Sequence, residues 1–286
     1  MIEPGLEPTL PANVFVILRD LIHERIGMYY DDEKRALLAD KLAPLVGERG
    51  FHSFLDYYYL LKYGPGDDQE WPLVIDALSV QETYFWREMG QIKWFVKTLV
   101  PQFAAAKPGH SLDIWCAACA TGEEPLTIAM LLAEAGWFDR LAIRIFATDA
   151  SRAALVKAQK GLYRDRSFRA LPPLLADKYF IETSTGRQVV PELHERVSWA
   201  RANLLNAEDI ASYAVCPFIF CRNVFIYFSD QTISRTISRF AGAMPRPGYL
   251  FVGASESLLK LTDDFDLREA GDAFVYVADQ PHREGR

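Results

Sequence analysis

Leu112-Asp-Ile-Trp-Cys-Ala-Ala-Cys-Ala-Thr-Gly-Glu-Glu-Pro125 is the stretch that decides the fold class. Ser111–Ala117 is a short apolar run of the kind that forms a fully buried strand. Gly122 breaks it, and Thr121–Ala135 carries a helical apolar pattern that ends at Gly136. The same alternation continues downstream. Ala142–Ala147 reads as a strand ending in Thr148-Asp149, and Ser151 caps a helix over Arg152–Lys160. Pro217–Cys221 is a strand and Asp230–Met244 a helix. Tyr249–Gly253 and Ala273–Ala278 are further strands. This order predicts an α/β domain with a parallel, doubly wound sheet. From Pro172 to Trp199 the alternation lapses into a short helix and two small strands, Gln188–Val190 and Val197–Arg201, which predicts a small β-rich insertion.

Upstream the pattern is helical. Asn13 can cap a segment Val14–Ile26 that Gly27 ends. Asp31 or Asp32 can cap a second segment, with Leu37, Leu38, Leu42, Leu45 and Val46 at helical spacing and Pro44 expected to kink or shorten it. A third segment, Phe51–Tyr63, stops at Gly64-Pro65-Gly66. A fourth runs from near Asp67 to Ala77. The expected domains are a helical one over 10–70, a linker and connecting helix over 71–106, and the α/β domain over 107–280. The β subdomain is expected at about 176–202.

The bulk numbers exclude several classes. The chain has 286 residues, half of them apolar, so it can build one large core or two modest ones. Its net charge of -7 argues against a nucleic-acid binder, which shows a basic stripe. Met1–Leu10 lacks a signal-peptide pattern, and no apolar run approaches membrane-spanning length. These features lead to the expectation of a soluble, cytoplasmic protein without membrane insertion. The polar end Asp279–Arg286 reads as a natural tail or a truncation.

Several constellations carry chemistry. Ligands of doubly wound folds bind at the carboxyl edge of the sheet, where the stretch at 112–125 turns. A dinucleotide site would show Gly-x-Gly-x-x-Gly, and that pattern is absent. Glu123 and Glu124 suit a helix N-terminus but would repel a pyrophosphate. They suit a cationic ligand with hydroxyls, and S-adenosylmethionine is one. A merely acidic first turn is the alternative. Asp149 ends the next strand at the spacing of a ribose-binding acid, or else caps the helix that follows. Phe218–Phe228 delivers Arg222, Asn223 and Tyr227 toward the same edge, where a structural salt bridge is the alternative role for the arginine. Ser79-Val-Gln-Glu-Thr-Tyr-Phe-Trp-Arg-Glu88 lies at the domain junction and either wraps an adenosyl group or packs as a hinge. Cys116-x-x-Cys119 has no matching second pair among the four cysteines, so the thiols are read as packing groups and no metal is expected. Tyr57-Tyr-Tyr59, with no basic tract beside it, is read as helix packing.

Taken together, six segments resemble the CheR family of chemotaxis receptor methyltransferases. Ala77–Glu88 is similar to its Thr-Asn-x-Thr-x-Phe-Phe-Arg-Glu segment, and Cys119–Pro125 to its Cys-Ser-Thr-Gly-Glu-Glu-Pro turn. Ala147–Asp149, Asn203-Leu204, Phe220–Phe228 and Phe251-Val-Gly-Ala-Ser-Glu256 match further signatures in order. The resemblance implies an all-α N-terminal domain before a Rossmann-like methyltransferase domain with a small antiparallel β insertion. It implies methyl transfer from S-adenosylmethionine, leaving S-adenosylhomocysteine, to glutamates on the cytoplasmic helical region of methyl-accepting chemoreceptors. By matching position, Thr83, Arg87, Glu124, Asp149, Asn203, Leu204, Arg222 and Asn223 would line the cofactor, with Arg87, Arg222 and Tyr227 nearest the methyl. Gln81 stands where the family often has Asn and is kept as a weaker cofactor contact. The loop Glu182–Arg187 is short beside relatives that dock a receptor tail peptide, so no tight tail-peptide binding is expected. A basic set on the N-terminal helices, Lys34, Arg35 and Lys41, either meets an acidic receptor helix or is a solvated face. The protein is expected to act as a monomer. The open alternatives are another methyl acceptor or a cofactor-binding regulatory protein without turnover.

Overall fold

The computed structural model describes residues 9–64 and 67–279. Pro65 and Gly66 of the expected turn, most of Met1–Leu10 and the polar end after Asp279 lie outside the described residues. The chain forms two compact units. One ends at Val80 and takes in Tyr227–Ser229; the other starts at Gln81 and holds the rest.

The first unit packs four helices: α1 (Ala12–Ile26), α2 (Arg35–Glu48), α3 (Phe54–Tyr63) and α4 (Asp67–Leu78). Each buries an apolar stripe at helical spacing, such as Phe15, Leu18 and Ile22 in α1 and Leu38, Leu42 and Val46 in α2. Asn13 does not cap α1. The helix starts two residues earlier, at Ala12 after Pro11, whose ring pre-sets an entry without a side-chain cap. Asp31 accepts from the Lys34 N–H at 3.1 Å and opens a short 3₁₀ turn that runs into α2. Pro44 sits inside α2, which continues to Glu48. Ser53 caps α3 through the Asp56 N–H. Trp71, Val74, Ile75 and Leu78 are buried, so 71–80 belongs to the helical unit and not to a linker. Tyr57, from the tyrosine run, donates to the buried Glu70 carboxylate at 2.7 Å. Burial, with Glu70 beside it, pushes the Tyr57 phenol far up. Tyr227–Ser229 joins this unit through Tyr29 N–H to Tyr227 O at 2.8 Å and His23 Nε2 to Ser229 Oγ at 2.8 Å.

The second unit centres on a seven-stranded sheet. Its strands are β1 (Leu112–Ala117), β2 (Ile143–Asp149), β6 (Val197–Arg201), β7 (Phe218–Phe220), β8 (Gly248–Phe251), β9 (Asp266–Ala270) and β10 (Ala273–Ala278), in the order β6-β2-β1-β7-β8-β10-β9. The first five in that order are parallel, and β10 runs antiparallel to both of its neighbours, β8 and β9. β1 lies between β2 and β7, so strand order reverses at its carboxyl end. The connecting helices are α5 (Met89–Trp94), α6 (Val100–Ala106), α7 (Glu123–Glu134), α8 (Arg152–Lys160), α9 (Asp165–Phe168), α10 (Pro173–Tyr179), α11 (Pro191–His194), α12 (Ala207–Ile210) and α13 (Asp230–Ala243). Phe220 and Phe251 stack at 4.2 Å across β7 and β8, with the Phe95 ring edge-on to both.

The insertion is an antiparallel sheet of β3 (Leu162–Tyr163), β5 (Gly186–Val189) and β4 (Phe180–Thr183), in that order. It therefore starts before residue 176. Val197–Arg201 is corrected to the main sheet, where it pairs parallel to β2 from Ile145↔Val197 to Asp149↔Arg201. The alternation Val-Ser-Trp-Ala-Arg announces a strand but does not name its partner. β9 has no sequence signal because it is a polar edge strand, exposed along most of its length. No helix among the described residues is long and apolar enough to cross a membrane.

Candidate functional site

The turn after β1 is tight and strained. Ala118, Ala120 and Gly122 all take positive φ, at 56°, 47° and 94°. A Cβ on Gly122 would lie 2.7 Å from the Trp199 ring, so this position requires glycine. The Asp149 carboxylate holds the turn: Oδ2 accepts from the Ala120 N–H and Oδ1 from the Ser151 N–H, both at 2.8 Å. Ser151 itself caps α8 through the Ala154 N–H at 3.0 Å. Asp149 thus joins the ends of β1 and β2 at the switch point. Ala202 N–H donates to the Asp149 carbonyl at 3.1 Å, which sets Asn203 and Leu204 one strand further along the same edge. Asn203 Oδ1 accepts from the Leu205 N–H, and Leu204 is buried.

Glu123 and Glu124, adjacent on α7, have different partners. Glu123 is buried and accepts from the hydroxyls of Thr121 at 2.6 Å and Ser167 at 2.9 Å. Burial pushes its carboxyl above the ordinary range. Glu124 accepts from Arg222 Nη1 at 2.9 Å; burial pushes its carboxyl up and the guanidinium opposes this. The Arg222 side chain is 2% exposed. Its Nη2 donates to the carbonyls of Arg87 and Glu88 and to Glu88 Oε2 at 3.1 Å. Its Nε is buried with no hydrogen-bond partner. Burial raises the Glu88 carboxyl, but Arg222, the Ala254 N–H and the Asn223 amide outweigh it and hold Glu88 below the ordinary range. Arg222 is thus both the structural salt bridge and part of the candidate site.

The loop after β7 is fixed by Glu256. Its carboxylate accepts five backbone N–H groups: Asn223 at 2.7 Å, Val224 at 2.7 Å, Phe225 at 2.6 Å, Ile226 at 3.3 Å and Gly253 at 2.6 Å. Asn223 takes a left-handed φ of 61°, and its Nδ2 reaches Glu88 Oε1 at 3.3 Å. A Cβ on Gly253 would lie 2.4 Å from that Nδ2, so glycine leaves room for the Asn223 side chain.

The segment from Gln81 to Glu88 is pinned and forms no aromatic cage. Phe85 is fully buried among Tyr163, Phe180 and Phe168, at 4.8, 5.0 and 5.3 Å. Trp86 packs against the core, and its N–H meets Thr127 Oγ1. Tyr84 carries the Arg169 guanidinium at 3.7 Å and that of Arg87 at 5.7 Å. Arg87 Nη1 donates to the Glu82 carbonyl, and Gln81 accepts from Lys157 Nζ at 2.7 Å. Thr83 is half-buried in this segment.

Arg87, Glu124, Arg222 and Asn223 therefore meet around Glu88, and Asp149 stands at the adjoining strand end. Tyr227 departs from the expectation of a common strand edge. β7 ends at Phe220, and Tyr227 closes a 3₁₀ turn and groups with the helical unit. Glu88 and Glu256 lie within the segments that resemble the family, and only the fold shows what their carboxylates bind. The four cysteines are free and buried, and burial pushes their thiols up, as expected of packing groups.

Comparison with known proteins agrees with this geometry. The family described as CheR methyltransferase, SAM binding domain, matches residues 81–274, and the CheR all-alpha domain matches residues 13–79. The chain belongs to the CheR methyltransferase family. It is 34% identical over 257 residues to the chemotaxis protein methyltransferase of Klebsiella aerogenes, covering 88% of this chain and 85% of that one. It is 29% identical over 272 residues to chemotaxis protein methyltransferase 2 of Vibrio cholerae serotype O1, covering 94% and 93%. It is 30% identical over 273 residues to chemotaxis protein methyltransferase 1 of Pseudomonas aeruginosa, covering 92% and 97%. This CheR protein is thus an S-adenosylmethionine-dependent methyltransferase. The side chains fit that cofactor: Glu88, Glu124 and Asp149 surround the switch point with one fully buried guanidinium among them, a set of acceptors suited to a cationic ligand with hydroxyls.

Proposed function

We propose that this CheR protein methylates glutamate side chains on the cytoplasmic helical region of methyl-accepting chemoreceptors, giving glutamate methyl esters and S-adenosylhomocysteine. The observation that carries the reading is the acidic switch point, in a chain similar along most of its length to chemotaxis protein methyltransferases. The bound cofactor supplies a methyl group on a sulfonium.

The protein's own task is binding and alignment. A glutamate acceptor is ionised at neutral pH and requires no general base. It is well hydrated, so the site must exclude water and hold it in line. Thr83, Arg87, Glu124, Asp149, Asn203, Leu204, Arg222 and Asn223 line the cofactor in this reading, with Gln81 a weaker contact. Arg222 has both Nη atoms committed to Glu124 and Glu88, so it positions those carboxylates. Arg87 is the arginine that can turn toward an incoming carboxylate, being 25% exposed and held by one carbonyl and the 3.7 Å approach of Glu88.

The protein works in the cytoplasm as a monomer. It does not bind a receptor tail peptide tightly, because only Ser184 and Thr185 join β4 to β5 and leave little docking surface. Arg87→Ala tests that role: it loses turnover, and full activity with normal cofactor binding would refute it. Micromolar affinity for a receptor tail peptide would refute the tail-peptide reading.

A further inference from the structure

The chain is acidic overall, yet Ser151–Ala170 carries six of its 31 Lys and Arg residues against a single acid, Asp165. Lys157, Lys160, Arg164, Arg166 and Arg169 of this stretch are all exposed. Arg166 and Arg169 share one carboxylate from outside the stretch, Glu82. One carboxylate between two guanidiniums leaves an excess of positive charge. Lys157 reaches Gln81 at 2.7 Å, so three of the cations contact the start of the segment that continues through Thr83 to Arg87. Tyr84 links the two sets: Arg169 from the basic stretch and Arg87 from the site stand over the same ring. Exposed ion pairs contribute about 0–1 kcal/mol each, so stability does not account for this concentration of charge.

We infer that Lys157, Arg164, Arg166 and Arg169 form a docking rim for an acidic helical segment of the protein substrate, beside the place where its glutamate reacts. The inference rests on the proposed protein-glutamate acceptor. A helix rises about 1.5 Å per residue, so carboxylates one or two turns from the reacting glutamate stand about 5–11 Å from it along the same face. With that glutamate at Arg87, those flanking carboxylates meet the guanidiniums that share Tyr84 and Glu82.

The test uses the full chain, labelled S-adenosylmethionine, and a receptor presented both as a soluble cytoplasmic fragment and in membranes. The double variant Arg164→Glu/Arg166→Glu raises the KM for the soluble fragment about tenfold or more, as expected for replacing two attractions by two repulsions. Arg164→Gln/Arg166→Gln gives a smaller rise. The KM for the cofactor and kcat stay within twofold in both, which shows that the variants are folded. Wild-type KM rises steeply with NaCl, and that of the charge-reversed variant does not. Unchanged KM for the fragment, or an equal rise in KM for the cofactor, overturns the inference. An effect seen only with membranes also overturns it, since the rim would then serve an anionic lipid surface. Base-labile methyl ester formation by the wild type separates the two claims: ester with no change in the variants defeats the rim alone, and no ester defeats the proposed function and the rim with it.

Discussion

Replacing Glu256 by Gln removes one oxygen from a carboxylate that gathers five backbone N–H groups. Gln can leave its oxygen toward Val224, Phe225 and Ile226. Its NH₂ then faces the N–H groups of Asn223 and Gly253, donor against donor. A hydrogen bond to a charged group contributes about 1.5–3 kcal/mol, so two lost bonds set a ceiling of about 3–6 kcal/mol. Part returns as the loop relaxes, and about 3 kcal/mol is the expected loss of stability. The relaxation has a defined direction. Asn223 is held at a φ of 61°, a conformation that costs a non-glycine residue about 1 kcal/mol. Without the nest it leaves that conformation and withdraws Nδ2 from Glu88. Glu88 then loses one of the groups that fix Arg222 against Glu124. Glu256→Gln should therefore lower the urea midpoint with an unchanged slope, and the loosened loop should raise the KM for S-adenosylmethionine and lower kcat/KM by about tenfold or more. Glu256→Asp keeps the charge but withdraws it by one methylene, and should fall between the two. A Gln variant within about 0.5 kcal/mol of wild type, with kcat/KM within threefold, would show that the nest does not hold the loop.

Glu123→Gln tests the buried carboxyl that has hydroxyl partners and no directly bonded cation. Its raised folded pKa adds stability that is full below the unfolded value of about 4.3 and is lost as pH rises through the folded value, so the variant should gain on wild type between pH 4 and pH 8 in urea melts. A pH-independent difference would contradict this. Gly122→Ala places a Cβ 2.7 Å from the Trp199 ring at a φ of 94°, and urea unfolding should show a loss of about 2–4 kcal/mol; a loss under 0.5 kcal/mol would refute the stated need for glycine. Arg222→Ala leaves Glu124 and Glu88 without their shared cation and should cost about 3–5 kcal/mol. Arg87→Ala should keep its urea midpoint and lose about a hundredfold in kcat, and equal stability losses in the two arginine variants would refute the separate roles assigned to them.

Much of the fold was legible because strands buried on both faces announce themselves. Leu112–Ala117, Phe218–Phe220 and Ala273–Ala278 are apolar runs, and the glycines and capping residues around them set their ends. What stayed hidden was pairing. Val197–Arg201 has the pattern of a strand in either sheet, and Asp266–Ala270 has almost none because charged side chains suit an open edge. In the site, Glu124 stood out as a carboxylate at a helix start, Asp149 as an acid at a strand end, and Arg222 as a polar group embedded in an apolar run. Glu88 and Glu256 act through loops closed by the fold: Glu88 bonds Arg222, 134 residues away in sequence. No local spacing encodes that contact. Tyr227 shows the converse. The strand Pro217–Cys221 was expected to deliver Tyr227 to the sheet edge with Arg222 and Asn223, but the chain leaves the sheet after Phe220 and Tyr227 closes a 3₁₀ turn.

The central claim is methyl transfer to receptor glutamates. The protein is incubated with methyl-labelled S-adenosylmethionine and receptor membranes, the receptor is isolated, and the label is treated with alkali. The account predicts receptor-bound label that alkali releases as methanol, from wild type and not from Arg87→Ala. Label that survives alkali, or tight cofactor binding with no label on any receptor, would contradict it.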